Sequence, residues 1–291
     1  MPDLDDRCTL RSLASDEPLA GTASTVRRWL LVESAGPWGP HGLLDGRLPG
    51  GVGDALHALA RRTGSRVLLI RRVHRRPDVE GSVTCIAVDT TLDDPWMGRV
   101  LVPSIAHSVG LDPADRGSFE PLSGPLAVVC THGRRDVCCA ERGRPLAQAT
   151  ASVHPSVTWE STHLGGDRFA GNMVVFPHGL YFGHVEAVRG PEIVRAYAQG
   201  RIVLDRFRGR SSMPMYAQVA EHHLRVTLDL PEVNDLRLTS ASAVGDEAES
   251  HFATSAGPRR VRLRRWAGTP MRLTCHSERE EAPSMWKVTS G

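Results

Sequence analysis

The sequence predicts a mixed α/β protein with a β-rich C-terminal extension. Three observations carry this. A strand-helix-strand order opens the chain after residue 25, a second one follows a short apolar run at 126–129, and from 225 onward short β segments alternate with glycine turns. With 291 residues, 41% apolar and 23% charged, the chain is long enough for a sizeable core and has the balance of a water-facing globular protein. A net charge of +2 calls for no acidic partner, and 5% aromatic content argues against a stacking platform for nucleic acid. No apolar run approaches the roughly 20 residues of a membrane span. The acidic start, MPDLDDRCTLRS, is not a secretory signal, so the expectation is a cytoplasmic protein whose six cysteines stay reduced.

Residues 1–24 read as an arm with a short helix around Leu10 to Ala14, and Cys8 within it as a packed thiol rather than a ligand. The N-terminal α/β domain then spans 25–122. Trp29 to Glu33 is a strand, Asp54 to Arg62 has helical spacing, and Arg66 to Arg71 is the next strand. Arg71, Arg72, Arg75 and Arg76 read as a solvated loop. Val83 to Val88 and Gly98 to Val102 continue the sheet, with Cys85 near the buried face, and Ser104 to Leu111 forms a short helix or turn.

The core, 123–225, holds the chemistry. Leu126 to Val129 fits a buried strand that delivers Cys130 into a polar loop carrying His132, Asp136, Cys138 and Cys139. A helix beginning near Cys139 places Cys138 and Cys139 at its N-terminus, where amide dipoles favour a thiolate. Val157 to Trp159 leads into Thr162-His163-Leu164-Gly165-Gly166-Asp167-Arg168, whose glycine pair permits a tight bend. Thiolates from one loop and an imidazole from another point to a metal or iron-sulfur site, against the plainer reading of buried thiols. The spacing is not that of a zinc finger, and a thiol oxidoreductase would lack the CxxC motif. A hairpin around His178 and Gly179, a helix over Pro191 to Ala198, an arginine-rich polar loop over 205–212 and a helix from Met215 to Leu224 complete this part.

The segments CTHGRRDVCC and HLGGDRFAGN, with RRWLLVESAGPWG, RVLLIRR and RGRSSMPMYAQVAE around them, resemble the sucrase/ferredoxin-like family. That resemblance covers most of the chain and implies a thioredoxin-like ferredoxin domain in the core. It also implies an electron-transfer role, a carrier more than a catalyst, serving an unidentified redox partner protein. It implies a 2Fe-2S cluster, with zinc or no metal as the alternative. Carried over by position, the ligands are Cys130, Cys139 and His163, while Asp167 stands where the family's second histidine is expected. Cys138 and His132 are then the alternates for a fourth ligand.

The extension, 226–291, is expected to contain β segments at 249–254, 260–264 and 271–275. Arg259 to Arg265 has the alternating pattern of an exposed edge strand protected by charge.

Overall fold

The computed structural model describes residues 7–45 and 47–291. Residues 1–6 of the expected arm lie outside the described residues. The rest of the arm holds a helix, α1 (Cys8–Ala14).

A ten-stranded mixed sheet organises the molecule. β1 (Arg28–Glu33), α2 (Val52–Thr63) and β2 (Ser65–Arg71) form a parallel β-α-β unit, and β3 (Val83–Asp89) and β4 (Trp96–Val102) add antiparallel beside β1. A two-residue strand, β5 (Glu120–Pro121), closes that edge. The pattern then repeats. β6 (Leu126–Cys130), α3 (Val137–Val153) and β7 (Thr158–Ser161) form a second parallel unit, with β8 (Met173–Phe176) and β9 (Leu180–Phe182) antiparallel beside β6. β2 and β7 pair antiparallel where the two units meet, so the orders β2-β1-β3-β4 and β7-β6-β8-β9 run outward from that seam with matching sequence.

Alternation explains the layering, because successive strand residues face opposite sides. Leu30 and Val32 face Leu56 and Leu59 of α2, while Trp29 and Leu31 join Val128, Val174 and Phe176 on the other side. Val129, Met173 and Val175 pack with Leu146 of α3 and Ile193 of α4 (Gly190–Ala198). With both faces covered, β6 has no exposed residue and reads as the uninterrupted apolar run LAVVC. α3 lies so close to β6 that a Cβ on Gly143 would stand 1.9 Å from the Cys130 carbonyl oxygen.

Four expectations need correction. The arginine-rich stretch at 205–212 contains a strand, β10 (Phe207–Arg210), paired to β9, with Arg208 and Arg210 buried. The arginines enter the interior because partners await them. Glu221, on α5 (Met215–Thr227), bonds Arg210 at 2.7 Å and Arg225 at 2.9 Å, and Arg225 also donates to the carbonyls of Leu230, Glu232 and Val233. Burial alone would raise the Glu221 carboxyl, but the two guanidiniums outweigh it and hold it below the usual range. For the same reason Arg71 is not a solvated loop residue, since it pairs with Glu160 at 2.5 Å and stacks on Trp38, and Arg72 stacks on Trp159.

The other two corrections concern the extension. It is a four-stranded antiparallel sheet of β11 (Arg237–Val244), β12 (Glu247–Thr254), β13 (Gly257–Ala267) and β14 (Ser284–Ser290). The arginine strand is interior, between β12 and β14, because Val261 and Leu263 turn inward onto α5 while Arg262 and Arg264 meet Glu249 and Glu247 on the open face. Residues 271–275 do not form a strand. A single bridge ties Met271 to Glu281, and Cys275 lies in the intervening loop. Among the described residues no helix is long and apolar enough to cross a membrane.

Removing Glu221 strands two buried cations, so Glu221→Leu is expected to lower unfolding free energy by about 3–5 kcal/mol, read from the urea midpoint. His178, whose Nδ1 sits 2.5 Å from the Tyr197 hydroxyl, and His184 are both pushed down to about 4 by burial. The unfolded chain protonates these rings near pH ~6.5, so the stability present above that pH drains away as pH falls toward 4. Comparing urea unfolding at about pH 7 and about pH 5, the pair His178→Asn/His184→Asn should lose roughly 3–4 kcal/mol less than the unmodified protein.

Candidate metal centre

Cys130 closes β6, and its amide donates to the Asn172 carbonyl at 3.0 Å. The chain then turns through Thr131 to Arg135 and enters α3 at Asp136, whose carboxylate caps the helix by accepting from the Cys138 amide at 2.9 Å. That cap sets Cys138 and Cys139 on neighbouring positions of the first turn, about 100° apart around the axis. They therefore face different surroundings.

Cys139 turns toward β6. With Cys130 and His163 it forms a set of donors that all lie within 4.8 Å of one another. Cys130 and Cys139 are buried, and the His163 side chain is 24% exposed. Asp167, in the turn after Gly165-Gly166, accepts from the Cys139 thiol at 3.2 Å and lies 2.9 Å from His163 Nδ1. The ring nitrogen is poorly aligned on that carboxylate and has no hydrogen-bond partner, so the contact is an ion pair in distance only.

The electrostatics follow from this clustering. Burial opposes charge on His163, yet Asp167 and the Cys130 sulfur outweigh it and lift the imidazole to about 9. The thiol of Cys139 donates to Cys130, which lowers Cys130 despite burial and with help from His163, and correspondingly raises Cys139. His163 in turn, against the effect of burial, keeps Asp167 below the usual carboxylate range.

The two alternates are placed elsewhere. His132 is buried, accepts from the His163 amide at Nδ1 and sits with Nε2 2.7 Å from the Gly39 carbonyl, so both its nitrogens are engaged in holding loops. Cys138 joins Cys8, Cys275 and Asp136 in a separate donor set on the other side of the helix start. Cys8 and Cys275 come from the two ends of the chain, and no local spacing in the sequence announces their meeting.

A cavity of about 320 Å³ borders the first set, with His163, Thr162 and His132 on one wall and His41, His57, Arg66 and Arg135 around it. The loop that carries His163 and Asp167 is fastened from behind by Arg208, which sequence reasoning left without a role. Fully buried, Arg208 donates to the Gly165 carbonyl at 3.1 Å, to Asn172 Oδ1 at 2.6 Å and to Thr22, and burial pushes it down to about 10. A Cβ on Gly166 would stand 2.4 Å from its Nη2, so the left-handed glycine at φ 76° is needed for both the bend and this approach.

With this geometry in view, a profile of the Sucrase/ferredoxin-like family matches residues 19–209. The chain belongs to that family. Two curated relatives are both named altered inheritance of mitochondria protein 32. The one from Candida glabrata is 32% identical over 163 residues, 48% of this chain and 52% of its own length. The one from Meyerozyma guilliermondii is 34% identical over 103 residues, 31% of this chain and 36% of its own. The chain thus spans about a third to a half of the relatives it matches. No solved structure matches.

These comparisons correct the electron-carrier expectation. The relatives are family members whose name is not that of a 2Fe-2S electron carrier. The donor set agrees with the correction. A two-iron cluster takes four thiolate or imidazole ligands, whereas this set offers three N and S donors, and a carboxylate, Asp167, accepts from Cys139 and lies 2.9 Å from His163. The set lacks the fourth soft donor of such a group.

Arg208→Met removes the loop's fastening while keeping much of the side-chain volume. It is expected to lower stability by about 3–5 kcal/mol and to raise amide exchange across 163–172 well above that of the sheet core, measured by hydrogen-exchange mass spectrometry.

Proposed function

We propose that this protein is a metal-binding protein whose Cys130, Cys139 and His163 hold one thiophilic divalent cation, with zinc the best match. The observation that carries this reading is the convergence of three N and S donors within 4.8 Å. Two thiolates and an imidazole suit zinc, which has no geometric demand beyond roughly tetrahedral placement. In this reading Asp167 orients His163 through Nδ1, the usual task of a carboxylate beside a ligating histidine.

Three protein donors leave a coordination position free, which is the pattern of working sites as opposed to closed structural ones. His163 lies on the wall of the cavity that Arg66, Arg135, His41 and His57 also line, so that position would receive a small anionic ligand. The strand order β9-β8-β6-β7, with β6 and β7 parallel and a helix between them, supports a thioredoxin-like arrangement as the frame. Six free cysteines suit a reducing compartment such as the cytoplasm.

The test is zinc content and affinity under thiol-reducing conditions. Cys139→Ser and His163→Ala should each lose the ion while far-ultraviolet circular dichroism stays unchanged, and Asp167→Ala should weaken binding about 10–100-fold. Iron with acid-labile sulfide in the purified protein, or an ion retained at full occupancy in both ligand variants, would overturn the proposal.

A further inference from the structure

The second donor set lies at the opposite flank of the α3 N-terminus and is independent of the first. Cys8 begins α1, Cys138 sits in the first turn of α3, and Cys275 belongs to the loop between β13 and β14. Their sulfurs are 3.7 Å apart for Cys8 and Cys138, 3.3 Å for Cys138 and Cys275, and 3.5 Å for Cys275 and Cys8. None of these pairs is a disulfide. Two sulfurs bound about 2.3 Å from one tetrahedral ion stand roughly 3.8 Å apart, so the triangle is close to one face of such a site.

Asp136 supplies the apex. Both carboxylate oxygens lie 3.8 Å from the Cys8 sulfur, and all four donor groups fall within 4.8 Å of one another. The carboxylate is held in place by two backbone amides, Cys138 at 2.9 Å and Cys275 at 2.8 Å. The same side chain therefore caps α3 and draws the C-terminal loop onto the site. Cys8, Cys138 and Asp136 are buried, and Ala170 packs beside them. Such a set carries more negative charge than one divalent ion cancels. Arg7, buried beside Cys8 and bonded to Glu141 at 2.6 Å, places a cation within electrostatic reach of Cys138 and Cys275.

We propose that Cys8, Cys138 and Cys275, with Asp136 as fourth ligand, form a closed structural zinc site that ties both ends of the chain to the start of α3. Binding converts the remaining thiols to thiolates and releases their protons to solvent, with no change in oxidation state. Four protein donors leave no position for a substrate, in contrast to the first centre. The ion takes the place of packing that α1, seven residues long, and the β13–β14 loop are too small to supply.

The experiment measures zinc per chain and the alkylation rate of each cysteine by mass spectrometry, using the whole protein with and without added zinc in the presence of a phosphine reductant. Zinc should slow alkylation of Cys8, Cys138 and Cys275 together by at least tenfold, and a chelator should restore it. Cys275→Ser should lose an ion that Cys139→Ser retains, and should release 7–14 to faster amide exchange. If the first centre fails and this one holds, the protein binds one ion that depends on Cys275 and not on Cys139. Equal zinc content in Cys275→Ser and the unmodified protein would overturn the proposal. So would alkylation of the three thiols that ignores zinc in the unmodified protein, a readout that stands even where the variant does not fold.

Discussion

A single buried guanidinium, Arg208, conditions the geometry of everything around the candidate centre. It joins the arm through Thr22, the glycine bend through Gly165, and the return of the chain through Asn172. An unpaired charge at that depth would be prohibitive, so its hydrogen-bond acceptors must stay where they are. Two of those acceptors, the Gly165 carbonyl and Asn172, belong to the segment that presents His163 and Asp167. Further bonds converge on the same segment: Arg66 donates to the His163 carbonyl at 2.6 Å, and Tyr181 and Ser24 both donate to that of Leu164 at 3.1 Å. An irregular loop thereby acquires the fixity of a strand end.

The start of α3 is the other organising point. One carboxylate, Asp136, caps the helix at the Cys138 amide, and the helical rotation then sends the two successive cysteines to different sides. One side faces the sheet and a cavity with basic walls. The other side faces the chain ends and is closed. Two donor sets of different openness thus grow from adjacent residues, because the helical rotation between neighbours separates their directions while leaving their backbone shared.

The mirrored order of the two strand-helix-strand units explains why donors appear in only one of them. The strands before the two helices, β1 and β6, run in opposite directions, because β2 and β7 pair antiparallel, and their ends meet on one row of the sheet, Glu33 opposite Ile70, Ile70 opposite Ser161 and Ser161 opposite Cys130. In the second unit that end carries Cys130, and in the first the corresponding strand finishes at Glu33, whose carboxylate instead accepts from the amides of Asp78 and Thr84. The scaffold is common to both, and the chemistry is set by side chains at equivalent ends.

Local pattern by itself determined most of the strands and the main helices, through apolar runs, helical spacing and glycine turns, and it gathered Cys130, His132, Cys138, Cys139 and His163 as candidate donors, while the choice of Cys130, Cys139 and His163 among them came from the family resemblance. The buried arginine strand at 207–210 was hidden by its polarity, since the compensating Glu221, Asn172 and Thr22 come from distant segments. The interior place of the strand at 257–267 was hidden in the same way, as its alternation suits an edge equally well until β14 pairs with it. The role of Cys8 and Cys275 was decided by tertiary structure alone. They are separated by 267 positions and meet only because Asp136 receives the amide of one and lies against the sulfur of the other, a contact that no periodicity along the chain can encode.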